Sequence, residues 1–115
     1  MTLQARPTTY QGIKMRSRLE ARFAASLDER RIEWQYEPRA FANRAGQYLP
    51  DFQTTSAGGP VFIEVRPTVA KARLGMDQMP IIWDSEPTAT LLVVVPGEIA
   101  FWADPEDRIW RVSLV

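Results

Sequence analysis

Residues 13–31 contain neither proline nor glycine, and within them Met15, Leu19, Phe23 and Leu27 recur at every fourth position. That spacing puts four apolar side chains on one side of a helix roughly 27 Å long, at about 1.5 Å per residue. A stripe of this kind must be covered, and the rest of the chain reads mainly as strands, so the helix is expected to lie on a sheet.

The strands follow in order. Residues 33–37 alternate Trp34 and Tyr36 on one face before Pro38. Residues 48–54 form a second candidate, with Pro50 at an edge or bulge because proline has no N–H to donate. A Gly-Gly turn in residues 56–60 leads to a third, β-branched and aromatic strand over residues 61–66, which Pro67 ends. Residues 69–83 carry helical spacing interrupted by Gly75 and Pro80, which predicts a short or broken helix. Thr90–Val95 is uniformly apolar, as expected of a central strand, and residues 99–103 and 108–112 read as a terminal hairpin. The predicted order is α-β-β-β-α-β-β-β, an α/β (α+β) fold with a mixed sheet flanked by helices. At 115 residues and 45% hydrophobic content, residues 1–115 suit one domain with a single core.

The chain has no histidine and no cysteine. This excludes Ser-His and Cys-His nucleophile systems, disulfides and imidazole or thiolate metal sites. Chemistry must rest on carboxylates, Lys, Arg, Tyr, Ser or Thr, and oxygen-only ligation suits magnesium or manganese. Net charge is zero, but residues 1–44 hold nine basic side chains against five acids and residues 45–115 hold five against nine. A phosphate-facing helix beside an acidic metal pocket fits this split, as does a solvated helix without a partner. No apolar run is long enough to cross a bilayer, and residues 1–7 lack the apolar stretch of a signal peptide, so a cytoplasmic location without membrane contact is expected.

Chemistry concentrates in Pro50-Asp51 and Glu64-Val65-Arg66, with twelve residues between the two acids and a turn among them. Residues two apart on a strand point the same way, so Glu64 and Arg66 share a face while Ile63 and Val65 face the opposite core. If the second and third strands pair as a bent hairpin, Asp51 comes beside Glu64, and two carboxylates converge next to one cation. Phosphodiester hydrolysis by a bound divalent ion needs such a grouping.

These residues resemble the motif of the PD-(D/E)xK nuclease superfamily, the restriction-endonuclease-like proteins. The likeness is closer to small phage-type and mobile-element members, in which an opening similar to Tyr10, Gly12 and Arg16 to Ala21 leads to Tyr36-Glu37-Pro38. Tyr48 to Phe52 and Ile63 to Pro67 then follow. The resemblance covers residues 10–67. It implies a restriction-endonuclease-like core and a metal-dependent DNA endonuclease, structure-specific in some members. It also implies Mg2+ or Mn2+ as cofactor, held by Asp51, Glu64, Val65 and Glu20. Glu20 would act directly or through water, against the alternative of an exposed ion pair with Arg16.

Arg66 stands where the superfamily usually carries lysine. A guanidinium stays protonated and cannot act as a general base, although it can clamp a phosphate oxygen. The competing reading is an inactive nucleic-acid-binding or assembly module with Arg66 paired to Asp51 or Glu64. Arg16, Arg18 and Arg22 are candidate phosphate contacts, Tyr10 a base- or sugar-stacking residue, Lys71 a substitute for the missing lysine, and Gln78 a contact to metal-bound water. Each has a plain surface or packing role as its alternative. Trp34, Trp83, Trp102 and Trp110 are read as core or interface residues. A third reading is a protein-interaction domain, a homodimer through the terminal hairpin that buries Trp102 or Trp110.

Overall fold

Ser17 decides where the long helix begins. In the computed structural model, which describes residues 6–114, Ser17 is extended and its Oγ accepts the Glu20 N–H at 3.1 Å while donating to Glu20 Oε1 at 3.2 Å. This reciprocal pair closes the first turn of α1, Arg18–Glu29. The expected start at residue 13 is therefore corrected. Ile13–Met15 is instead strand β2, paired with β1, Thr8–Tyr10, across a turn in which Gln11 and Gly12 have positive φ. The reading of residues 1–7 falls mostly outside the described residues.

After α1 come β3 (Gln35–Tyr36) and a small hairpin of β4 (Phe41–Asn43) and β5 (Gly46–Tyr48), the latter not anticipated from sequence. Its turn is set by Asn43, whose Oδ1 accepts the Ala45 N–H, and by Gly46 at φ 148°. The expected strand over residues 48–54 is split. Tyr48 ends β5, Pro50 and Asp51 lie outside any strand, and β6 begins at Phe52 and runs as Phe52–Ser56. Next are β7 (Gly59–Val65), α2 (Val69–Gln78), a 3-10 segment (Met79–Asp84), β8 (Thr90–Val95), β9 (Ile99–Ala103) and β10 (Arg111–Leu114). Pro80 falls at the start of the 3-10 segment, so the broken helix expected there is what forms.

The main sheet has six strands in the order β10-β9-β8-β7-β6-β3. All neighbours are antiparallel except β7 and β8, which pair in parallel from Val61 with Thr90 to Val65 with Val94. A parallel pair needs a crossover of a dozen or more residues, and α2 with the 3-10 segment supplies it. The fold is thus mixed α+β, with one helix on each face of the sheet. On one face Ala21, Ala24 and Leu27 of α1 pack with Phe52, Ile63, Val65 and Val94. On the other, Ala72, Met79, Ile82 and Trp83 pack with Phe62, Leu91, Val93 and Val95. β8 contributes to both clusters, which accounts for its unbroken apolar sequence. Among the described residues no helix is long and apolar enough to cross a membrane.

Of the four tryptophans, Trp83 is core, its indole N–H donating to the Ala89 carbonyl at 2.8 Å. Trp34 packs edge-on against Phe52. Trp110 is half-buried against the α2-side core, and Trp102 lies half-buried under the Arg111 guanidinium.

Candidate functional site

The β6–β7 register pairs Phe52 with Ile63, so one step further along the two strands brings Asp51 level with Glu64. There the ladder gives way. The Val65 N–H donates to Asp51 Oδ2 at 2.8 Å rather than to a main-chain oxygen, and this fixes the aspartate at the end of β7. Strand alternation sends Ile63 and Val65 into the α1-side core and Glu64 to the α2 face, as the pleat requires.

Glu64 is fully buried there. Its Oε1 accepts from the Tyr48 hydroxyl and from Arg66 Nη2, the latter at 2.6 Å. Among the described residues its Oε2 has no hydrogen-bond partner, and it lies against Gly75 of α2, so close that a methyl group on Gly75 would stand 1.6 Å away. An unpartnered buried carboxylate oxygen costs on the order of 1–3 kcal/mol, which the surrounding packing must offset.

Arg66 is the centre of the arrangement. Its Nη1 donates to Asp51 Oδ2 at 3.2 Å and to the Val65 carbonyl at 2.9 Å, while Nη2 reaches Glu64. Three oxygens, from Asp51, Glu64 and the Val65 carbonyl, thus converge on a cation belonging to the chain itself. Two carboxylates against one guanidinium leave the group one positive charge short when both acids are ionised. Burial accordingly pushes Asp51 up to about 7; the Val65 N–H and Arg66 oppose the rise, and the charges of Glu20 and Glu64 add to it. Burial also raises Glu64, against the Tyr48 hydrogen bond and Arg66, and raises Tyr48 itself, with Glu64 next to it.

Asp51, Val65 and Arg66 open onto a cleft of about 790 Å3 between the starts of the two helices. Ser17, Arg18 and Leu19 line it from α1, and Thr68 and Lys71 from α2, where Thr68 caps the helix by accepting the Lys71 N–H at 3.2 Å. Five basic side chains, Arg6, Arg16, Arg18, Arg66 and Lys71, line the cleft against Glu20, Glu37 and Asp51. Arg16 is held by Glu37 at 2.8 Å, not by Glu20.

Glu20 is buried on the cleft wall, but its oxygens are taken by Ser17 at 3.2 Å and by the Tyr36 hydroxyl at 3.3 Å. Burial pushes that hydroxyl up to about 12. Among the described residues no three Asp, Glu, His or Cys side chains form a metal-holding group; the converging donors are two carboxylates and one carbonyl. An all-oxygen set of this kind fits a hard divalent cation.

The other candidates are scattered. Tyr10 and Arg22 border a separate shallow groove beside Ala21 and Ala25, which Arg18 also touches. Tyr10 donates to Asp28 at 2.5 Å and packs near Trp34, which is the packing role. Gln78 is exposed at the far end of α2 and does not line the cleft. Two residues without an assigned role from sequence prove central, Tyr48 and Gly75. A glycine in a helix interior was the visible signal for the second, since such a residue often has a packing reason. No protein-family model, curated protein or solved structure matches this chain.

Proposed function

We propose that this chain is a metal-dependent endonuclease that hydrolyses DNA phosphodiester bonds on a restriction-endonuclease-like core. The observation that carries the reading is the convergence of Asp51, Glu64 and the Val65 carbonyl on the Arg66 guanidinium, beside a basic-rimmed cleft that Asp51, Val65 and Arg66 line and behind which Glu64 is buried. These three would hold Mg2+ or Mn2+, with Glu20 in outer support. When bound, such an ion supplies charge stabilisation to a transferring phosphoryl group.

The chain's own residues do the rest. Asp51 and Glu64 keep their places through the Val65 N–H and the Tyr48 hydroxyl. A guanidinium is no general base, so the role of Arg66 is to hold a phosphate oxygen and not to take a proton. Arg6, Arg18 and Lys71 line the path of the backbone, and two helix N-termini add N–H groups that favour an anion there.

The test is cleavage of duplex, flap and four-way DNA with Mg2+ or Mn2+. Asp51→Asn keeps an acceptor for the Val65 N–H but removes a charge, and it is expected to lose cleavage. Equal rates for the two proteins would refute the reading. One observation favours a second reading, a non-catalytic DNA-binding module: the guanidinium already fills the point where the donors meet. It predicts DNA binding that is unchanged by EDTA, and no cutting.

A further inference from the structure

We propose that Arg66 is an exchangeable counter-ion, a built-in occupant that a divalent cation must displace before the cleft is competent. The inference rests on the metal-dependent reading above. Three observations carry it.

First, the guanidinium contacts all three converging donors at once, Nη1 on Asp51 and the Val65 carbonyl and Nη2 on Glu64. A planar fork can do this with two nitrogens, whereas a lysine ammonium is a single point of charge. Second, the acids do not depend on Arg66 for their position. Asp51 is anchored by the Val65 N–H and Glu64 by Tyr48 and the packing of α2, so both remain in place when the arginine leaves. Third, the arginine is the exposed partner. Its side chain is 31% accessible and lines the cleft, against 9% for Asp51 and 0% for Glu64. With both acids ionised, the charge balance sets the direction of exchange, because one guanidinium leaves two carboxylates short by one charge and a divalent ion does not. Once displaced, the guanidinium stays tethered to the cleft wall, free to meet a phosphate. Arg66 is thus a positioning and gating residue that raises the cation concentration the protein requires.

The experiment is Mn2+ binding to the full chain, read from the electron paramagnetic resonance of the free ion, for wild type, Arg66→Met and Arg66→Lys, each with and without Asp51→Asn. Arg66→Met is expected to bind Mn2+ about tenfold tighter than wild type, a difference of about 1.4 kcal/mol. Arg66→Lys should fall between them, and Asp51→Asn should remove binding in every background. Arg66→Met binding no tighter than wild type overturns the proposal, and if that variant does not fold, Arg66→Lys binding no tighter does so. Tighter binding by the variants with no DNA cleavage by saturated wild type sinks the nuclease reading and leaves the exchange standing. Cleavage by wild type with unchanged variant affinities does the reverse, and no Mn2+ binding by any protein overturns both.

Discussion

Replacing Gly75 by alanine tests the burial of Glu64 most directly. The added methyl would stand 1.6 Å from Glu64 Oε2 and 2.8 Å from its Cδ, both well inside contact distance, so the glutamate must move. Elsewhere in a helix interior the same substitution stabilises by about 1 kcal/mol. Here it forces Glu64 off the Tyr48 hydroxyl and Arg66, and stripping a buried charge of its partners costs about 3–5 kcal/mol. The expected net loss is about 2–4 kcal/mol, measured by urea denaturation at neutral pH. The control is the same change in a Glu64→Ala background, where the clash is gone and Gly75→Ala should stabilise by up to about 1 kcal/mol. A Gly75→Ala protein as stable as wild type, or an equal penalty in both backgrounds, would show that Glu64 is not held against α2.

Two other outcomes follow from the same geometry. Ser17→Ala removes the acceptor for the Glu20 N–H and a donor to its carboxylate, and should lower stability by about 1 kcal/mol in urea denaturation; an unchanged midpoint would contradict the capping role. Asp51 rises from 3.8 to about 7 on folding, so between those values the folded chain holds a proton the unfolded chain has lost. The resulting stability is complete below 3.8 and is lost as pH rises through about 7, with a slope of at most about 1.4 kcal/mol per pH unit. Asp51→Asn should flatten that decline, and parallel denaturation profiles from pH 4 to 8 for the two proteins would count against it.

The meeting of Asp51, Glu64 and Arg66 was legible because it needs only strand alternation and a local hairpin, both of which the residues between 48 and 66 announce. A pairing of Arg66 with Asp51 or Glu64 was a competing reading of the sequence, and the structure pairs it with both. What could not be read was Glu64 against Gly75, since that contact depends on how α2 settles over the parallel β7–β8 pair. The helix start was misjudged for a different reason. Met15 does lie in the same core as Leu27, but it arrives there on a strand, and the four-residue spacing hid the change of backbone. The Ser17 to Glu20 capping pattern was the better guide. The β4–β5 hairpin was missed because its strands are three residues each, too short for alternation to register.

The sheet's single parallel pairing also orders events in time. β6 and β7 are joined by a short turn and can zip locally, whereas the β7–β8 pair closes a loop from Val61 to Thr90, a slower encounter. Asp51 and Glu64 are then expected to meet while both are still wet, with the glutamate sealed under α2 only as the crossover docks. A defect at Gly75 should then hasten unfolding and leave the refolding rate almost untouched.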